Sequence, residues 1–517
     1  MQLESFLEQS ARLRPDKTAL VCGSRRWTYA ELETACNRLA AALVAQGIER
    51  GDRVAIHLDN SFEAVAAIFA SLKASAVFVM VNPTTKPDKL AYLLNNSRAK
   101  ALVMPARKLA SLEASWPLMP HLEHVIVASG EPPAEFPSEK TCHSLDELLA
   151  RHAADTLPPS KRAIDVDLAA LVYTSGSTGN PKGVMLTHLN MVSAATSITT
   201  YLENTPEDII LNVLPLSFDY GLYQVLMGLK IGGTVVLERS FTYAHAVMEK
   251  LVAERVTGFP LVPTMSAILL QMDLGKYDLR RLRYVTNTGA ALPTDHILKL
   301  RKLLPHARIY SMYGLTECKR VSYLPPEEID RRPGSVGRGM PNEEVWIVDD
   351  AGRPVGPGVV GELVVRGSNV MKGYWELPEE TAKKLKPGPL PGEKVLYTGD
   401  LFRMDDEGYL YFVGRKDDII KSRGEKVSPK EVENVLYSHP AIAEAAVIGL
   451  ADEILGQAIK AVVTLKGGAA LTGRDVLRHC AAHLEDFMVP QHVEIRDAMP
   501  KTSNGKIDKL QLCGAAE

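Results

Sequence analysis

The first half of the chain alternates stretches of helical hydrophobic period with short β-branched runs, and this alternation restricts the fold more than any other feature. The stretch "TYAELETACNRLAAALVAQGIERGDRVAIHL" shows the pattern. Thr28 is positioned to cap a helix that runs to about Gly47, a turn follows at Gly51, and a strand begins at Val54. The same order recurs in "AVAAIFASLKASAVFVMVNP", "HAVMEKLVAERVTGFPLVPT" and "HILKLRKLLPHARIYSMYG". Strands spaced by helices pair in parallel, because the helix is the crossover, and such sheets are covered on both faces. The predicted class is α/β. At 517 residues the chain exceeds one ordinary core, and its 46% apolar residues can fill two or more.

From about residue 333 the texture changes. "GSVGRGMPNEEVWIVDDAGRPVGPGVVGELVVRGSNVMKGYW" has short β-branched runs cut by Gly, Pro and Asp-Asp turns, which predicts antiparallel, barrel-like sheet. A second change comes near Gly414, where charged residues lead into a helix with Ser428 as cap and Pro429 at its first position. The expected organisation is a large domain over 1–414, β-rich from about 333, and a small, mobile α+β domain over 415–517.

Charged residues make up 23% and nearly cancel to a net −3, which argues against the basic surface that nucleic-acid binding needs. The segment 64–83 is interrupted by Lys73, so it reads as helix then strand and no membrane span is expected. The start, "MQLESFLEQSARLRPDKTAL", has no apolar signal core, and the six cysteines lack zinc or CxxC spacing; both point to a cytoplasmic setting with reduced thiols.

Residues 171–190, "LVYTSGSTGNPKGVMLTHLN", place a Gly/Ser/Thr-rich loop between two apolar runs. It cannot be read as GxxxxGK[ST], so it is not a Walker A loop. Its chemistry still suits a polyphosphate. Gly176, Gly179 and Gly183 let backbone amides turn toward an anion, Thr174, Ser175, Ser177 and Thr178 offer hydroxyls, and Lys182 adds a cation. The plain alternative is a flexible Gly/Ser linker, against which Pro181 and the regular flanks argue.

The loop resembles the phosphate-binding signature of the adenylate-forming superfamily, which includes acyl-CoA synthetases, nonribosomal adenylation domains and luciferases. "YSMYGLTEC", "GELVVRGSNVMKGYW", "YTGDL", "GRKDDIIKSRGEKVSPKEVE" and "PKTSNGKIDK" follow in the superfamily's order, so the resemblance spans nearly the whole chain. It implies an ATP- and Mg2+-dependent, AMP-forming ligase that joins a small carboxylic acid to AMP and passes the acyl group to coenzyme A or to the phosphopantetheine of a separate carrier protein. Lys506 aligns with the lysine bridging the carboxylate and the α-phosphate, Glu317 with the magnesium ligand and Thr316 with a phosphate contact. Tyr313 aligns with the residue against the adenine, beside a backbone wall of Gly289, Ala290 and Ala291. Asp400 and Arg415 align with ribose contacts. Asp417 matches the hinge about which the C-terminal domain turns, bringing Lys506 in for adenylation and withdrawing it for thiol attack. The bland alternatives are a solvated Lys506, a structural Glu317 carboxylate and a turn-capping Asp400.

The stretch "LPLSFDYGLYQ" corresponds to the start of the acid pocket. Many fatty acyl-CoA synthetases carry His there, whereas this chain has Phe218, Asp219 and Tyr220; a Phe-Asp pair resembles amino-acid-activating domains. Lys319 and Arg320 follow Glu317 where related pockets are apolar or small, so they could read a second carboxylate, or Arg320 could pair with Asp219 as a structural bridge. An amino or β-amino acid is therefore the expected substrate, with a medium- or long-chain fatty or aryl acid as the alternative. A non-catalytic adenylate-binding protein and a luciferase-like oxygenase are remoter readings.

Overall fold

Thr28 accepts a hydrogen bond from the Glu31 amide while the Glu31 carboxylate accepts one from the Thr28 amide, and this capping box opens the helix Tyr29–Ala45. The turn through Gly47 and Gly51, both at positive φ, delivers the chain to the strand Arg53–Ile56, as the sequence predicts. The computed structural model describes all residues except 134, 138, 175–180, 291, 423–424, 453–454, 503–504 and 515–517. It forms two compact units, one of Met1–Phe259, Leu315–Arg320 and Gly367–Leu385, the other of Pro260–Gly314, Val321–Arg366 and Lys386–Glu517. The chain therefore passes back and forth between them. Residues 415–517 belong to the second unit, and the expected 414/415 boundary falls within the strand Leu410–Arg415.

The first unit contains an eight-stranded sheet. Leu168–Thr174, Val77–Met80, Arg53–Ile56, Ala99–Pro105, His124–Ser129 and Thr141–Ser144 lie side by side and parallel. Val79, Leu102, Val125 and Leu171 pack with Leu94, Leu112 and Trp116 in its core. The helix Phe62–Lys73, capped by Ser61, is buried along nearly its whole length, as its all-apolar surface requires. Lys73 is buried with it and meets Glu33 at 2.7 Å and Glu8 at 3.2 Å, the pairing that a desolvated ammonium needs. The departures from parallel pairing stand at one edge, where Lys182–Thr187 runs antiparallel to Leu168–Thr174 and Gly373–Tyr374 antiparallel to Lys182–Thr187. A short loop can join only antiparallel neighbours, so the Gly/Ser/Thr stretch is a hairpin connection. The same unit holds a second parallel group, Ile209–Asn212, Thr234–Leu237 and Thr18–Cys22, with Arg25–Thr28 antiparallel outside it.

In the second unit Tyr284–Asn287 and Arg308–Tyr313 pair in parallel. The region after residue 333 folds as the texture predicts, with Gly361–Gly367, Lys394–Met404 and Leu410–Arg415 pairing antiparallel. Toward the C-terminus Ile442–Asp452 and Gly456–Leu465 form a long antiparallel pair, with His492–Arg496 added in parallel. The helix Pro429–Ser438 starts where expected, its cap Ser428 accepting from the Glu431 amide. Val432, Leu436, Val447, Ile459, Val463 and Val476 make an α+β core. Among the described residues no helix is long and apolar enough to cross a membrane.

Candidate active site

The hairpin register sets Thr174 opposite Lys182, so the loop leaves and returns through one closed mouth. Ser175, Gly176, Ser177, Thr178 and Gly179 lie outside the described residues. The Lys182 ammonium meets Glu380 Oε2 at 2.6 Å and lies 5.7 Å from the centre of the Tyr374 ring. Glu380 is on the short helix Pro378–Lys384, just after the strand Gly373–Tyr374 that pairs with the lysine's own strand. Its carboxyl is held down at about 2 by hydrogen bonds from Lys182 and then Lys383.

Tyr374 donates its hydroxyl to Glu317 Oε1 at 2.7 Å, and the Glu317 carbonyl accepts from the Met371 amide at 2.7 Å. The carboxylate expected to ligate magnesium is thus oriented from both ends of its residue. Thr316 and Glu317 lie in a turn closed by the Cys318 amide on the Leu315 carbonyl at 3.1 Å. Among the described residues no group of three or more His, Cys, Asp or Glu could hold a metal ion. A single oriented carboxylate nevertheless fits magnesium, which keeps several waters and is held by one or two carboxylates together with substrate phosphates.

The expected acid pocket also lies in the first unit. Asp219 is the first residue of the helix Asp219–Lys230, where the helix dipole favours an anion, and Gly221 lets that turn press onto the Leu214 and Pro215 carbonyls, since a Cβ would stand 2.4 Å from the latter. Asp219 Oδ2 is 3.5 Å from Lys319 Nζ, whose side chain is 2% exposed. The ammonium lies 4.3 Å from the centre of the Tyr223 ring and 5.7 Å from that of Tyr220. Burial pulls Lys319 down to about 7, with Asp219 opposing the shift and Arg320 adding to it. The Arg320 guanidinium, fully buried, is 5.3 Å from the Tyr220 ring, and Phe218 meets that ring edge-on. The partner anticipated for Asp219 was Arg320; the ion pair formed there is with Lys319, because the backbone turns between the two cations. Lys319 has φ +66, and the Arg320 amide bonds the Cys318 carbonyl at 2.8 Å, a γ-turn with a left-handed centre that is costly for a residue with a Cβ. Asn369 fixes this turn by donating to the carbonyls of Cys318 and Arg320.

In the second unit the residues expected around the nucleoside come together. Tyr313 donates to Asp400 Oδ2 at 2.6 Å, and its ring packs edge-on against Phe402 and is stacked with Phe412. Asp400 and Arg415 face each other across an antiparallel pair, with Arg415 Nε 3.4 Å from Asp400 Oδ1. Gly289, at φ +86, and Ala290 follow the strand Tyr284–Asn287, parallel neighbour of the strand carrying Tyr313; Ala291 lies outside the described residues. Lys506 sits on a tight return in which the Thr502 amide bonds the Lys506 carbonyl and the Lys506 amide bonds Thr502 Oγ1. Gly505, at φ +76, brings this return beside Thr264. Asp417 is an exposed residue of the turn after Leu410–Arg415. Sequence reasoning did not single out Tyr374, Asn369 or Glu380. Tyr374 lies within a motif that drew attention, but "PEETAKK" reads as an ordinary charged surface helix.

A model of the AMP-binding enzyme family matches residues 7–375, and one of the AMP-binding enzyme C-terminal domain matches residues 431–506. The chain belongs to the AMP-binding enzyme family. This AMP-binding enzyme is 36% identical to a feruloyl-CoA synthase of Amycolatopsis over 99% of its length and 98% of the relative's. It is 30% identical to a linear gramicidin synthase of Brevibacillus parabrevis over 99% of its own length and 10% of that protein's. Its fold matches the crystal structure of an anthranilate CoA ligase in complex with anthranoyl-AMP with a TM-score of 0.90 and 28% identity, covering 100% of this chain and 97% of the other. It is an ATP-dependent, AMP-forming acid–thiol ligase that uses ATP and Mg2+, takes a small carboxylic acid, and has coenzyme A or phosphopantetheine as acceptor.

Proposed function

We propose that this ligase activates a carboxylic acid that also carries an amino group. The observation that supports this most is Asp219, an anion at a helix N-terminus between aromatic rings, whose cation Lys319 is held near neutrality by its own burial. A lysine so placed can give up its proton, leaving Asp219 for a substrate ammonium. An aryl acid is the second reading, favoured by the rings of Phe218, Tyr220 and Tyr223 and by the activities for which the feruloyl- and anthranilate-specific relatives are named.

In this reading the loop from Thr174 to Lys182 holds the phosphates, with Thr316 beside them, and Glu317 holds magnesium, which supplies positive charge to the leaving pyrophosphate. Tyr313, Gly289, Ala290 and Ala291 receive the adenine, and Asp400 and Arg415 the ribose. The substrate carboxylate attacks the α-phosphorus, pyrophosphate leaves, and Lys506 neutralises the two anions as they meet. Residues 415–517 then turn at Asp417 so that a thiol can attack the acyl-adenylate, releasing AMP. Likeness to CoA ligases favours coenzyme A as acceptor, and likeness to the gramicidin synthase keeps a separate carrier protein in view. The need for ATP and coenzyme A favours a cytoplasmic setting.

Pyrophosphate exchange with fatty, aryl, α-amino and β-amino acids tests the substrate, and thioester formation with and without coenzyme A tests the acceptor. Exchange confined to acids without an amino group would overturn the leading reading. Lys506→Ala should keep ATP binding and lose exchange by about 10²- to 10³-fold; wild-type exchange in that variant would remove Lys506 from its role.

A further inference from the structure

Lys182 is already engaged before any nucleotide arrives. Its ammonium has Glu380 at 2.6 Å, so its charge is neutralised by a carboxylate that stays ionised at any physiological pH. The other oxygen of Glu380 pairs with Lys383, which lies three residues on along the same short helix and is well exposed. Glu380 itself is about one-quarter exposed, so its side chain has room to turn outward. The lysine does not have that room: its backbone is fixed in the sheet between Leu168–Thr174 and Gly373–Tyr374, and its ammonium lies over the Tyr374 ring.

We propose that Glu380 is an exchangeable counter-ion that occupies Lys182 in the nucleotide-free enzyme, passes to Lys383 when the terminal phosphates of MgATP arrive, and returns to Lys182 as pyrophosphate leaves. The inference rests on Lys182 being the phosphate lysine. An empty site holding a bare cation would carry a large desolvation and repulsion cost within the sheet edge; Glu380 removes it at the expense of competing with the phosphates. Because Glu380 keeps one partner throughout, its departure from Lys182 leaves no uncompensated carboxylate. The same competition acts on the product, so the carboxylate that weakens entry of ATP also speeds exit of pyrophosphate. No covalent step is involved: one ion pair breaks as another forms. Tyr374 links this exchange to the metal ligand, since its ring lies under the Lys182 ammonium and its hydroxyl holds Glu317.

Calorimetric titration of the full chain with MgATP, magnesium pyrophosphate and AMP tests the exchange. Glu380→Gln should bind MgATP and pyrophosphate about three- to tenfold more tightly, leave AMP unchanged, and show a difference from the parent that shrinks as salt rises. Lys383→Ala, which removes the alternative partner, should weaken MgATP, and this effect should vanish when Glu380 is already Gln. Unchanged MgATP affinity in Glu380→Gln, or an equal gain for AMP, overturns the counter-ion role. Lys182→Met distinguishes this from failure of the underlying assignment. If that variant binds MgATP and pyrophosphate like the parent, the phosphate reading of the loop falls. If it loses both while Glu380→Gln binds as the parent does, the counter-ion inference alone falls.

Discussion

The first unit holds two lysine–carboxylate pairs of the same chemistry and opposite behaviour. Lys182 and Glu380 touch at 2.6 Å at the mouth of the hairpin, where solvent reaches both. Lys319 and Asp219 stand 3.5 Å apart in a wall of tyrosines, with the lysine nearly sealed from water. At the mouth the charges reinforce each other and it is the acid that is displaced, down to about 2. In the pocket desolvation outweighs attraction and it is the base that is displaced, down to about 7. Water, rather than the identity of the partners, decides which member of such a pair can change its charge near neutral pH. The mouth therefore suits a ligand that arrives with fixed negative charge, and the pocket one that exchanges a positive charge.

The largest expected effect is at the mouth. Lys182→Met should lower adenylation by about 10²- to 10³-fold in pyrophosphate exchange while leaving folding intact, since Glu380 can fall back on Lys383. Next comes Asp219→Ala, which leaves the Lys319 ammonium buried without its counter-charge. That variant should lose about 3–5 kcal/mol of stability at pH 6 and recover much of it at pH 9, where Lys319 is neutral; equal losses at the two pH values would show that Lys319 is not the titrating group. The smallest effect is the pH slope of the parent protein. Lys319 titrates at about 7 when folded instead of its ordinary 10.5, so between those values the unfolded chain binds more protons and this residue makes stability rise with pH. Glu380 acts in the acid range: its contribution is complete above its ordinary 4.5 and is lost as pH falls toward about 2. Denaturant midpoints measured across both ranges, with Lys319→Met and Glu380→Gln as controls, separate the two slopes; a slope near pH 8 that survives in Lys319→Met would refute its origin in the pocket.

Much of the fold could be read from local pattern because its causes are local. The caps at Thr28, Ser61 and Ser428, the helical period of Tyr29–Ala45 and the Gly/Pro texture after residue 333 each state their own element within a few residues. The candidate nucleoside residues were legible in another way, since Tyr313, Asp400 and Arg415 lie in motifs recognised as a set. The ion pairs were not legible. Glu380 lies 198 positions from Lys182, and nothing in "PEETAKK" distinguishes it from a solvated helix. That the pocket would hold charge was foreseen, but not that Lys319 would face Asp219. That depends on a backbone turn in which the positive φ falls on a lysine and not on a glycine, against the usual preference.

The interleaving of the units bears on how relatives can be recombined. The short segments Leu315–Arg320 and Gly367–Leu385 pack with the first 259 residues although they come much later in the chain. A hybrid spliced at any one point between Asp219 and Lys319 would inherit the acid-pocket carboxylate from one parent and its ammonium from the other, and it would also separate Lys182 from Glu380. Grafting a foreign pocket intact therefore calls for exchanging three separate stretches together, and single-crossover libraries of such ligases should be rich in members whose charges no longer match.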